Sequence, residues 1–83
     1  MENIIVEIRL AVTGEVVDFM LPAHVPVNAL VGEIARMVMQ LHQELAYEEE
    51  RVLLYDLGRG TVVSMDGTLA QQQIRDGMQL MLI

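Results

Sequence analysis

The chain opens with two stretches in which apolar and polar residues alternate. From Ile4 to Val12 every even position is apolar, and a second alternation runs from Glu15 to Leu21. A period of two places successive side chains on opposite faces of a strand. Because Thr13-Gly14 between the stretches is a turn signal, the two strands are predicted to form a hairpin. The second strand is predicted to turn Val17, Phe19 and Leu21 inward and Val16, Asp18 and Met20 outward.

The period changes after Pro22 and Pro26, which cannot continue a sheet ladder because proline lacks the N–H donor. From residue 27 to residue 46, apolar residues recur at spacings of three and four, which predicts an amphipathic helix of about five turns. Asn28 is predicted to be its N-cap. The predicted apolar stripe consists of Leu30, Ile34, Met37, Val38, Leu41 and Leu45. Such a helix is expected to lie across a sheet, with Met37 filling the core.

The remaining residues predict three short strands and a helical turn. The strands cover residues 51–57, 61–65 and 78–83, and Gly58-Arg59-Gly60 is the turn between the first two. A short helical turn anchored by Leu69 and Ile74 precedes the last strand. One long helix after the first hairpin, followed by these elements, predicts an α+β roll in which the helix covers one sheet face. The length predicts a single domain over residues 1–83.

Composition excludes several classes of function. The chain has no cysteine, so it can form neither disulfides nor a zinc-thiolate site. Its net charge is −7, it contains no lysine, and its five arginines are scattered, so it lacks the basic patch that nucleic acid requires. No stretch approaches the ~18 apolar residues that span a bilayer, and the N-terminus lacks a basic signal-peptide start. We therefore expect a cytoplasmic protein whose partner is another protein, without membrane insertion.

No residues are predicted to form a catalytic, cofactor-binding or metal site, and no cofactor is expected. The two histidines, His24 and His42, fall in a loop and on the helix, which does not bring metal ligands together. The acidic run at residues 48–50 lacks the spaced oxygen ligands and the glycine of a calcium loop. It is expected to be a solvated loop.

The order of elements, with Leu69, Ile74 and Gly77 set before an alternating last strand, resembles ubiquitin and the β-grasp fold, with its five-stranded mixed sheet. A narrower resemblance lies in residues 17–27 (VDFMLPAHVPV). This segment is similar to the strand-into-helix passage of YukD/EsaB-like proteins and of the cytosolic domains of EccD-like membrane components in bacterial type VII secretion. The resemblance implies that the first and last strands are adjacent and parallel in the middle of the sheet.

The resemblance also implies a function. It indicates a non-enzymatic, ubiquitin-like interaction module that is a cytosolic accessory component of a type VII secretion system. Its partner would be a membrane secretion component or the secretion ATPase. The alternative is a small β-grasp accessory subunit of a multicomponent enzyme such as an oxygenase. Conjugation to targets requires a mobile tail ending in Gly-Gly, whereas this sequence ends on the strand-like segment from Met78 to Ile83, so conjugation is not expected.

With the sheet order that the resemblance implies, alternation predicts which residues face the helix and which lie on the opposite, open face of the sheet. Leu53, Tyr55, Leu80 and Leu82 are expected to face the helix. The open face is expected to present an apolar protein-binding surface made of Ile5, Met20, Val52, Leu54, Met81 and Ile83. Contiguous exposed apolar area commonly marks interaction. Homodimer formation through the same face is the rival explanation.

Overall fold

A five-stranded sheet and one helix make up the fold of the computed structural model, which describes residues 2–48 and 51–83. The elements are β1 (Asn3–Leu10), β2 (Val16–Pro22), α1 (Val27–Leu41), β3 (Leu54–Asp56), β4 (Thr61–Val62) and β5 (Gln79–Leu82). The strand order is β2-β1-β5-β3-β4. β1 and β5 run parallel at the centre, and the other neighbours are antiparallel. This arrangement confirms the β-grasp sheet predicted from the resemblance.

The first hairpin forms as the alternation predicts. In β1 the even-numbered residues from Ile4 to Leu10 are buried, and in β2 Phe19 and Leu21 join them in the core. Met20 lies on the opposite face and is exposed. The predicted strand extends to Val12, two residues past the end of β1. Val12 belongs to the turn and is exposed.

The start of α1 differs from the prediction. Pro26, not Asn28, occupies the N-cap position, and no side chain caps the helix. The first N–H groups of a helix lack partners within it. Here the N–H groups of Val27 and Asn28 donate to the carbonyl oxygens of Gly67 and Met65, at 2.9 and 3.1 Å. Carbonyl oxygens of a neighbouring loop therefore accept the N–H groups at the start of α1, in place of the predicted capping side chain.

The helix also ends earlier than predicted and is rotated about its axis. Its last residue is Leu41, and the N–H of His42 closes the final turn on the carbonyl oxygen of Val38 at 2.8 Å. The buried residues are Val27, Leu30, Val31, Ile34, Ala35 and Val38. Met37 and Leu41 are exposed, so the prediction that Met37 fills the core is wrong. The helix carries more apolar residues than one face can bury, and the sheet contacts the face that includes the smaller Val31 and Ala35.

The segment between β4 and β5 forms the predicted short helical turn. Its anchors Leu69 and Ile74 are buried. The N–H of Gln72 donates to the carbonyl oxygen of Leu69 at 3.2 Å, an i→i+3 bond of the 3₁₀ type. Thr68 and Gln71 each accept the other's backbone N–H with a side-chain oxygen, at 3.0 Å in both directions, which is a capping box.

The turn between β3 and β4 is held by a buried carboxylate. Oδ1 of Asp56 accepts the N–H groups of Gly58 and Arg59, at 3.0 and 3.1 Å. The Arg59 guanidinium lies 3.6 Å from the other carboxylate oxygen and also donates to the carbonyl oxygens of Gln72 and Gln73. Gly58-Arg59-Gly60 is therefore the turn that the sequence predicts, and Arg59 ties it to the short helical turn.

Candidate protein-binding surface

The side chains of β3 lie on the opposite faces of the sheet from those predicted. Leu54 pairs with Leu82 and Tyr55 pairs with Met81. Leu54 therefore faces the helix together with Leu82 and is fully buried, as Val52 is at 2% exposure. The prediction that Val52 and Leu54 lie on the open face is wrong, and the prediction that Leu53 and Tyr55 face inward is wrong with it. Residues 52–55 are apolar or aromatic at every position, so alternation alone does not show which of them face the helix.

With this correction, the open face of β3, β4 and β5 presents an apolar surface that we call the β3–β5 patch. It consists of Leu53, Tyr55, Val62, Met81 and Ile83. Tyr55 lies opposite Met81 on one side and Val62 on the other. Leu53 and Ile83 exchange two backbone hydrogen bonds, at 3.1 and 3.0 Å. Side chains opposite one another in neighbouring strands lie close enough to touch, so the five residues form one surface.

The other two predicted surface residues, Ile5 and Met20, lie apart from this patch. They pair across the β1–β2 hairpin and are 48% and 66% exposed. A polar row separates them from the β3–β5 patch: Glu7 lies opposite both Asp18 and Gln79, and the Gln79 side-chain amide donates to Glu7 at 3.1 Å. The structure thus brings Met81 and Ile83 together, and separately Ile5 and Met20, and divides the predicted single surface into two.

Arg9 is the basic residue at the border of the β3–β5 patch. It lies opposite Met81 on β5 and opposite Val16 on β2, and it is exposed. None of the ion pairs formed within residues 2–48 and 51–83 involves Arg9. Its guanidinium is therefore available to a carboxylate of a bound protein beside the apolar surface.

An open groove of about 250 Å³ adjoins Ile83 at one end of the β3–β5 patch. Tyr47 and Val52 contribute to its wall. The Tyr47 hydroxyl is buried and has no hydrogen-bond partner among the described residues. Burial raises the pKa of Tyr47 above its ordinary value, because the ionised form loses hydration. This groove was not predicted from the sequence, since it depends on how the chain returns from α1 to β3.

The histidines and acidic residues are engaged in separate surface pairs. His24 lies 2.8 Å from Glu2, and His42 lies 2.6 Å from Glu15 and 3.4 Å from Glu44. Over the described ranges, no three His, Cys, Asp or Glu side chains are grouped as a metal site. Of the acidic run, Glu48 pairs with Arg51 at 3.1 Å, and residues 49 and 50 lie outside the described residues.

A five-stranded mixed sheet with parallel central strands and one long helix on one face is the architecture of a ubiquitin-like domain. The family model described as "WXG100 protein secretion system (Wss), protein YukD" matches residues 4–82. The chain therefore belongs to the YukD family. A search of curated protein sequences finds no match. In the described parts of the chain, no helix has the length and apolar character needed to cross a membrane.

Solved structures share the fold at low sequence identity. The chain is similar to the EccD5 ubiquitin-like domain from Mycobacterium xenopi (TM-score 0.79, 20% identity, covering 100% of this chain and 97% of that one). It is similar to the ubiquitin-like domain of the Mycobacterium tuberculosis type VII secretion protein ECCD1 (TM-score 0.77, 18% identity, coverage 100% and 99%). A chain of the MycP5-free ESX-5 inner membrane complex also matches (TM-score 0.84, 20% identity), and this protein spans 21% of its length.

Proposed function

We propose that this protein is a non-enzymatic docking module, a cytosolic accessory component of a type VII secretion system. Its membership in the YukD family supports the pathway. Solved chains with the same fold include a component of the ESX-5 inner membrane complex, which supports a partner in the membrane-embedded machine or its ATPase. The family match favours this function over the accessory subunit of an oxygenase considered from the sequence.

The observation that carries the proposal is the β3–β5 patch. Leu53, Val62 and Ile83 are 38%, 54% and 51% exposed, although each belongs to or borders a hydrogen-bonded strand. Apolar side chains on a backbone that is already ordered lose little conformational entropy when a partner binds. The docking surface is therefore this patch, with Met81 at its centre and the free guanidinium of Arg9 at its border.

Ile5 and Met20 belong to the proposed surface as a separate contact. They lie beyond the polar row of Asp18, Glu7 and Gln79, so a partner must span that row to reach both apolar areas. The proposed binding is non-covalent docking through side chains that stand on paired strands. The backbone bonds between Ile83 and Leu53 hold that end of β5 in the sheet.

The test is recovery of the secretion complex with tagged variants of this protein from its native cells. Leu53→Glu and Ile83→Glu place a charge in the β3–β5 patch and are expected to lower partner recovery about tenfold or more, since burying an unpaired charge costs more than 1.4 kcal/mol. Leu41→Glu and Met37→Glu are matched controls, because both residues are exposed on α1, away from the open face. They are expected to recover the partner normally.

Equal recovery with all four folded variants would contradict the proposed surface. Homodimer formation through the β3–β5 patch is the competing use of the same residues, and light scattering at increasing protein concentration distinguishes it. If the protein forms a dimer that Leu53→Glu converts to a monomer, and no secretion component is recovered with it, the β3–β5 patch serves self-association and not docking to a different protein.

A further inference from the structure

The outer edge of the sheet at β2 is long and unpaired. β2 has seven residues, from Val16 to Pro22, and pairs only with β1 within the described chain. The opposite edge strand, β4, has two residues. Natural sheets protect such edges with short strands, charged side chains, prolines, bulges or covering segments. β2 has an uninterrupted ladder to β1, and its protection is limited to the single charge of Asp18 and to Pro22 at its end.

The hairpin bonds determine which backbone groups of β2 point outward. The N–H of Leu10 donates to Glu15 at 2.8 Å, and the N–H of Ala23 donates to Glu2 at 3.0 Å. Because bonded pairs alternate along an antiparallel ladder, the odd-numbered residues of β2 bond to β1. The N–H and C=O groups of Val16, Asp18 and Met20 point away from the sheet. No hydrogen bond within the described residues uses them.

The side chains of the same three residues lie on the open face. Val16 and Met20 are 47% and 66% exposed, and Asp18 stands exposed between them. Asp18 is directly opposite Glu7 in a pair without backbone bonds, the arrangement in which side chains come closest. Like charges in opposite positions destabilise a sheet. No cationic side chain of the described chain pairs with Asp18.

Charge argues against a second copy of this chain at the edge. An antiparallel pairing that engages all three outward residues centres on Asp18, so the two Asp18 carboxylates would face each other beside two Glu7 carboxylates. Each copy also carries a net charge of −7. A basic residue placed opposite Asp18 would instead offset the charge of that carboxylate and lie close to Glu7, so it would reduce the repulsion between the two.

We propose that β2 accepts an added strand from a partner protein, a segment in which a lysine or arginine is flanked at two positions on either side by apolar residues. The basic residue lies opposite Asp18, and the apolar residues lie opposite Val16 and Met20. The backbone of the segment bonds to the outward groups of these three residues. The segment ends before Pro22, which has no N–H to extend the ladder. This site is distinct from the β3–β5 patch and does not depend on it.

The test uses a capped peptide, Thr-Ile-Thr-Lys-Thr-Ile-Thr, and a matched peptide with Glu in place of Lys. Backbone amide exchange is followed by NMR on the 83-residue chain. The amides of Val16, Asp18 and Met20 are expected to exchange quickly in the free protein, because they point to solvent. About 1 mM lysine peptide is expected to slow their exchange about tenfold, and the glutamate peptide is expected to leave it unchanged.

Asp18→Lys provides the reciprocal measurement. The exposed variant is expected to prefer the glutamate peptide, and the control Asp66→Lys, in an exposed turn, is expected to retain the preference of the original chain. Unchanged exchange with the lysine peptide, or equal protection by both peptides, overturns the proposal. Protection that appears with protein concentration alone also overturns it, because the occupant is then a second copy. Leu53→Glu should leave the peptide result intact, so this site and the β3–β5 patch can fail separately.

Discussion

Gln73 adopts a backbone conformation that side chains other than glycine rarely take. Its φ is 59°, and it is the only residue other than glycine with a positive φ in the described ranges. It ends the short helical turn, where the N–H of Ile74 returns to the carbonyl oxygen of Leu69 at 3.0 Å. The left-handed region at a helix end is the usual place for glycine. The fold therefore holds Gln73 against its intrinsic preference.

We predict that Gln73→Gly stabilises the protein by about 0.5–1 kcal/mol, because glycine adopts this conformation without the steric cost of a Cβ atom. The Arg59 guanidinium retains its bond, since it contacts the backbone carbonyl oxygen of residue 73. Urea unfolding measures the change. Gln40→Gly, at an exposed position of α1, is the matched control and is expected to destabilise by about 0.5 kcal/mol. A loss of stability in both variants would contradict the prediction.

Single residues also show how far the sequence predicts burial. Ile8 and Phe19 lie in strands where apolar and polar positions alternate, and both face the core as predicted. Leu53 and Leu54 are the same type of residue, yet only Leu54 is buried, so side-chain chemistry could not show which of them faces the core. The capping box of Thr68 and Gln71 has a readable signal, a threonine followed three positions later by glutamine, and could have been predicted.

At the scale of an element, α1 shows that an apolar stripe does not determine a helix's rotation. Apolar residues lie at most positions from Val27 to Leu41, so two overlapping stripes fit the spacing rule. The sheet buries the stripe that includes Val31 and Ala35. Met37 and Leu41 are then left in solvent.

The rotation of α1 predicts unequal effects for two alanine substitutions. Ile34→Ala removes a fully packed side chain and is expected to cost about 3 kcal/mol of unfolding free energy. Met37→Ala, on the exposed face, is expected to change it by less than about 0.5 kcal/mol. Denaturant unfolding of both variants measures this difference. Comparable costs at the two positions would mean that the helix packs through the stripe predicted from spacing alone.

At the scale of the whole molecule, the half-buried Tyr47 packs against the core beside the groove next to Ile83. Burial raises the pKa of its hydroxyl, which has no hydrogen-bond partner among the described residues. The unfolded chain therefore ionises this tyrosine at lower pH than the folded chain does. The resulting contribution to stability is complete below the ordinary pKa of about 10 and is lost as pH rises through the raised value.

We predict that Tyr47→Phe keeps or slightly raises stability near neutral pH, because it removes a buried hydroxyl that has no partner. The variant is also expected to lose less stability than the original chain between about pH 9 and about pH 11. Unfolding by urea across this pH series measures both effects. A variant whose loss at alkaline pH equals that of the original chain would show that Tyr47 does not contribute to it.

The sequence by itself determined the β1–β2 hairpin and the place of one long helix, because alternation on either side of a turn signal and an abrupt change of period indicate them. The central parallel pair was expected only from the resemblance to the β-grasp fold. Only the tertiary structure decided the phase of β3, the rotation of α1 and the division of the open face into two apolar areas. When a strand or helix is apolar on both sides, its own sequence does not determine which side faces the core. Pairing with β5 determines this for Leu53 and Leu54, and packing against the sheet determines it for α1.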